Sequence, residues 1–126
     1  MNSEIKEKWV AALRSGKYKQ GKDRLATITI CDETTYCCLG VLCELAVEEG
    51  IAIKTKGISY FNYDNDRNYP PESVCKWAEF ESLEPSSDGK MFYIRNPMIE
   101  EYNLGEYNDI KKYSFEQIAD LIENYL

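Results

Sequence analysis

Tyr36-Cys37-Cys38-Leu39-Gly40-Val41-Leu42-Cys43-Glu44-Leu45 is the most apolar run of the chain and holds three of its five cysteines. Its spacing predicts a helix over about Cys37 to Glu49, closed by Gly50. At 100° per residue, Leu39, Leu42, Cys43 and Ala46 lie together, flanked by Cys38, Val41, Leu45 and Val47. A helix apolar over so much of its circumference must be covered by other elements. Cys38 and Cys43 then behave as small hydrophobes within a core. Cys37, Gly40, Glu44 and Glu48 fall on the one remaining stripe, which is expected to face solvent. Cys37 is thus the thiol with a route to water, at a helix N-terminus where the dipole lowers a thiol pKa. Gly40 costs about 0.5–1 kcal/mol relative to alanine inside a helix. Its place on the stripe points to a close approach by another backbone, a ligand or a second subunit.

Outward from this centre, Ser3 to Ser15 reads as an amphipathic helix capped by Ser3, with Ile5, Trp9, Ala12 and Leu13 on its apolar face and Gly16 at its end. Leu25 to Cys31 reads as a strand, followed by a turn at Asp32-Glu33-Thr34-Thr35. Short strands are expected at Ile51 to Lys54 and Ile58 to Tyr63, with a turn at Gly57. Pro70-Pro71-Glu72 opens a helix through Trp77. A strand at Lys90 to Arg95 and a brief helix from Asn96-Pro97 follow. Ser114 and Gln117 form a capping box and Tyr113 and Ile118 a hydrophobic staple for a last helix. Its buried face is Phe115, Ile118, Leu121, Ile122 and Tyr125. With 126 residues and no linker or repeat, the expectation is one α+β domain over residues 1–126. In it the N-terminal, central buried and C-terminal helices pack on a short, mostly antiparallel sheet.

Composition narrows the chemistry. The chain has no histidine, which removes Ser-His-Asp and Cys-His machinery, histidine-ligated zinc and the usual neutral-pH base. Five cysteines, an odd number, without framework spacing point to reduced thiols in a cytoplasm. Met1-Asn2-Ser3-Glu4 opens a polar segment rather than a signal peptide, and no apolar run reaches a membrane span. No C-x-x-C exists for a metal. Asp64-x-Asp66 mimics a calcium loop, but Tyr69 stands where that loop needs glycine. No Walker or dinucleotide glycine loop is present, so no cofactor and no metal are expected.

Net charge is −7, yet Arg14 to Arg24 carries five basic residues against one acid. An acidic body disfavours duplex nucleic acid, whereas one basic loop can hold a small anion. The N-terminus of the Cys37 helix adds free backbone donors of the kind that bind anions. Ten tyrosines supply flat faces for a nucleobase. The candidate ligand-binding residues are therefore Arg14, Lys17, Lys19 and Arg24 for phosphate, Tyr18 and Tyr63 for stacking, Gln20 and Asn108 for polar edges, with Cys37 and Gly40 at the helix start. No catalytic residue is assigned.

Four segments carry a resemblance: Trp9-x-x-Ala12-Leu13-Arg14-Ser15-Gly16-x-Tyr18-x-Gln20-Gly21, Tyr36-Cys37-Cys38-Leu39-Gly40-Val41-Leu42-Cys43, Pro70-Pro71 before Val74 and Trp77, and Asn108-Asp109 leading to Ser114-Phe115-x-x-Ile118-Ala119-Asp120-x-Ile122-Glu123. Together they resemble a family of small phage and prophage proteins of mostly unassigned function. The resemblance implies an accessory protein working in the bacterial host's cytoplasm. By analogy with phage anti-defence proteins, the expectation is a homo-oligomeric, non-catalytic sponge for a nucleotide-derived immune signal of the cyclic nucleotide or cyclic ADP-ribose type. The alternatives are a module that inhibits a host protein through its acidic surface, and a thiol enzyme using Cys37.

Overall fold

Two hairpins and a set of short helices enclose the apolar helix in the computed structural model, which describes residues 1–80 and 103–126. The strand expected at Lys90 to Arg95 and the helix at Asn96-Pro97 lie outside the described residues. Helix α1 spans Ser3–Arg14, β1 Ala26–Ile28, β2 Thr34–Tyr36, α2 Cys38–Glu48, β3 Lys54–Lys56 and β4 Phe61–Tyr63. Helices α3 (Glu72–Trp77), α4 (Leu104–Asp109) and α5 (Phe115–Tyr125) complete the order among the described residues. The class is α+β, as the sequence indicates. No helix among the described residues is long and apolar enough to cross a membrane.

The α1 cap is Asn2 rather than Ser3: its side chain accepts from the Ile5 amide at 3.1 Å. Asn2 also ties the helix start to the end of α3, its own amide donating to the Ala78 carbonyl at 2.8 Å. The buried face of α1 is Ile5, Trp9, Val10 and Leu13. Trp9 is fully buried and its Nε1 donates to the Cys38 carbonyl at 2.9 Å, pinning α1 to the first turn of α2. The capping box of α5 is present with both of its bonds, Gln117 amide to Ser114 Oγ at 3.2 Å and Ser114 amide to Gln117 Oε1 at 2.9 Å.

The strands are shorter than their sequence suggests, because the turns take residues from them. β1 ends at Ile28, since Thr29 donates to Glu33 and Asp32 adopts φ +59°, and Thr34 returns as β2 with Ala26 opposite Tyr36. The Thr34-Thr35 pair expected in the turn is therefore strand. Ile51 donates to the Ala46 carbonyl and Ile53 to Asp64 Oδ1, so the strand expected from Ile51 begins only at Lys54. β3 pairs antiparallel with β4, Lys54 opposite Tyr63. An isolated bridge between Thr27 and Tyr60 joins the hairpins, so the expected sheet is two antiparallel ribbons stitched at one point.

α2 lies at the centre, with Cys38, Leu39, Gly40, Val41, Leu42, Cys43 and Ala46 buried. Cys38 and Cys43 are core, as their angular positions require. The stripe opposite them is not uniformly open. Cys37 and Gly40 are buried, Glu44 is half-buried and Glu48 is exposed. The reason is the Leu25 carbonyl, which accepts from the Cys37 amide and sits 1.8 Å from where a Cβ on Gly40 would stand. Of the approaches expected at Gly40, it is the chain's own backbone at the start of β1 that the structure places there.

Candidate functional site

The short helix α4 organises the surface beside the start of α2. Asn103 caps it, accepting from the Glu106 amide at 2.8 Å. Its pattern, Asn103-Leu104-Gly105-Glu106, is a cap followed three residues later by glutamate, the one sequence signal for an element not anticipated above. Gly105 dilutes the apolar periodicity that would otherwise have announced it. Leu104, Tyr107 and Asn108 turn inward.

Asn108 is the junction of the site. Its Oδ1 accepts from Gln20 Nε2 at 2.9 Å and from the Cys38 amide at 3.2 Å. Its Nδ2 donates to the Gly21 carbonyl and to Asp109 Oδ1, each at 2.8 Å. Gln20 also donates to the Tyr113 carbonyl at 2.8 Å. One buried amide thus joins the loop after α1, the start of α2 and α4, and Gln20 extends the network to the approach to α5. Gln20 and Asn108, both expected to read a ligand's polar edges, do come together, but as each other's partners.

Two depressions flank this junction and share Asp109 as a wall. The larger, about 490 Å³, is lined by Asp23, Cys37, Leu39, Asn68, Tyr69, Gly105, Glu106, Asp109 and Ile110. The smaller, about 410 Å³, is lined by Gln20, Gly21, Lys22, Asn108, Asp109, Lys112 and Tyr113. The first therefore mixes apolar and aromatic surface with three carboxylates, and the second carries two lysines.

The basic loop differs from expectation in its commitments. Arg14 is bound to α5, its guanidinium 2.6 Å from Asp120 Oδ1 and 2.6 Å from Glu123 Oε2, and these carboxylates hold its pKa above the ordinary value. Lys17 faces Glu48 at 3.6 Å and Lys19 faces Glu33 at 2.7 Å. A phosphate would have to displace those carboxylates. Lys22 and Lys112, by contrast, form no ion pair among the described residues, and both face the smaller depression. Arg24 stacks its guanidinium on the Tyr60 ring, 4.5 Å from the centroid.

The tyrosines separate in the same way. Tyr63 is fully buried and its hydroxyl donates to Glu44 at 2.9 Å, so its ring is core and not a stacking face. Burial and then the Glu44 charge push its pKa far up. Tyr18 is half-buried and packs edge-on against Tyr36 at 5.3 Å. Tyr69, outside the expected set, lines the larger depression.

The helix start is not an open anion site. The Cys38 amide is taken by Asn108 and the Cys37 amide by Leu25. Cys37 is 4% exposed, against the route to solvent expected for it. Burial pushes its thiol up to about 12, outweighing the Gly40 and Leu39 amides that favour a thiolate. Cys75 is raised to about 11 by burial, and Cys38 and Cys43 are raised well above the ordinary thiol value. All five thiols are free and Cys31 alone is exposed. With a disulfide-exchange reagent on the folded protein, one thiol is expected to react promptly, and the other four only on unfolding. Two prompt equivalents, the second mapped to Cys37, would contradict that burial.

A family model for a domain of unknown function, DUF8296, matches residues 1–126. The chain belongs to that family. No curated protein and no solved structure matches it. The DUF8296 assignment carries no activity.

Proposed function

We propose that this DUF8296 protein binds a small nucleotide-derived signal and holds it without cleaving it. The observation that carries the reading is the pair of adjoining depressions around Asp109, one with two lysines that form no ion pair among the described residues and one with aromatic and hydrogen-bonding walls. Lys22 and Lys112 would take a phosphate. Tyr69 lines the larger depression, where an aromatic wall suits a base. Asn68 and the carboxylates of Asp23, Glu106 and Asp109 offer acceptors for base N–H groups or sugar hydroxyls. The phosphate role expected of Arg14, Lys17 and Lys19 moves to these two lysines, because the former already neutralise acids.

Non-catalytic binding is supported by the chain's lack of histidine and by raised pKa values at Cys37, Cys38, Cys43 and Cys75. In that reading the protein is a phage-encoded, homo-oligomeric anti-defence sponge in the host cytoplasm. Its ligand is a cyclic nucleotide or a cyclic ADP-ribose type molecule.

The test is a thermal-shift panel of such messengers on the purified chain. A ligand at a hundred times its Kd is expected to stabilise by about 2.7 kcal/mol. Lys22→Gln with Lys112→Gln should remove most of that shift while leaving the unliganded Tm in place. A panel with no shift would reject the reading.

A second reading has one observation in its favour. Ile30 and Ile58, at the tips of the two hairpins, are almost wholly exposed. Exposed apolar side chains on an acidic body suit a module that inhibits a host protein. Ile30→Ser with Ile58→Ser should abolish that inhibition and leave nucleotide binding intact.

A further inference from the structure

Arg24 and Arg67 gather around one ring. The guanidinium carbon of Arg24 lies 4.5 Å and that of Arg67 5.0 Å from the Tyr60 centroid. Arg67 Nη1 also donates to the Tyr60 hydroxyl at 3.0 Å. The group is held from behind by backbone. The Leu25 amide donates to the Arg67 carbonyl at 2.8 Å, and Tyr60 is bridged to Thr27 of β1.

Neither arginine forms an ion pair among the described residues, in a chain with 22 acidic and 15 basic residues. Asp23 and Asp66 adjoin them in sequence but pair with neither. Arg24 Nη1 is moreover buried with no acceptor among the described residues. A ring quadrupole attracts a cation without neutralising it. Two guanidiniums drawn to one tyrosine therefore place two positive charges, without a carboxylate in ion-pair contact among the described residues, beside a polar hydroxyl.

We propose that Arg24, Arg67 and Tyr60 form a phosphate-binding site. Two charges favour a dianion over a single carboxylate, and the planar fork of a guanidinium matches phosphate oxygens in pairs. Asp23 and Asn68, the sequence neighbours of the two arginines, both line the 490 Å³ depression. Arg24, Arg67 and Tyr60 are not themselves among its lining residues, so a phosphate here would be held next to that depression in sequence only, and apart from the one assigned to Lys22 and Lys112. If both are filled by one molecule, the ligand carries two separated phosphates. That link rests on the nucleotide reading, whereas the phosphate site itself does not.

The probe is inorganic phosphate, titrated at constant ionic strength into the full chain while the Arg Nε–Hε resonances are followed. Arg24 and Arg67 should shift together and saturate. Arg67→Gln, at an exposed position, should weaken binding at least tenfold with the Tm retained. Lys22→Gln with Lys112→Gln should leave these two resonances titrating as before. The proposal is overturned if sodium chloride produces the same shifts, or if Arg67→Gln titrates like the parent. Saturable phosphate binding beside a silent messenger panel would reject the nucleotide reading and leave this site standing.

Discussion

Gly40→Ala is expected to be the most damaging conservative substitution in the chain. The added Cβ would stand 1.8 Å from the Leu25 carbonyl oxygen and 2.7 Å from its carbon. Both belong to backbone, and neither can rotate away. That carbonyl also accepts from the Cys37 amide, so moving it breaks the first contact between β1 and α2. Overpacked cores typically lose about 1–3 kcal/mol where side chains can yield. Here the loss should reach about 3 kcal/mol or more, a fall of roughly 10 °C or more in Tm for a domain of this size. Gly50→Ala is the control: Gly50 has φ +75°, but a Cβ added there would meet no atom within 4 Å, so only local strain of about 1–2 kcal/mol is expected. Equal Tm values for the two variants would show that the contact at Gly40 is not as close as described.

Asn108→Ala should be nearly as costly, for a polar reason. The change removes an acceptor from Gln20 and from the Cys38 amide and a donor from the Gly21 carbonyl. Each polar group left buried and unpaired costs about 1–3 kcal/mol. Water entering from the adjoining depression offsets part of this, so a loss of about 2–4 kcal/mol in denaturant unfolding is expected. Asn108→Asp is a sharper probe. It keeps the acceptor for Gln20 and Cys38 but turns the donor to Gly21 into a second acceptor, and it places a charge beside Asp109. A role confined to ligand contact would leave the stability of both variants unchanged.

Local signals were legible. The Ser114-x-x-Gln117 box marks α5 because both partners lie within one turn. The apolar circumference of α2 identifies Cys38 and Cys43 as core, since angle alone fixes which residues share a face. What angle cannot supply is the neighbour at each end of a face. The stripe of Cys37, Gly40, Glu44 and Glu48 is covered by Leu25 at one end and open at the other.

The same limit applies to the site. Arg14 looks like an anion ligand in its local sequence and is instead spent on Asp120 and Glu123, across the chain. Lys22, in the same loop, forms no ion pair among the described residues, and nothing in the neighbouring sequence distinguishes the two. Gln20 and Asn108 share the polarity expected of ligand readers, but their bond to each other closes only in three dimensions. Helix α4 was hidden by Gly105, and with it the depressions that it walls.

The most direct test of sequestration is chemical. The purified protein is mixed with a defined set of cyclic nucleotide and cyclic ADP-ribose messengers, freed of unbound material and heat-denatured, and the released molecule is identified by mass spectrometry. One messenger should be recovered intact, in stoichiometric amount, and lost when Lys22 and Lys112 are both replaced by Gln. Recovery of a cleaved product, or of no messenger at all, would contradict the proposed function.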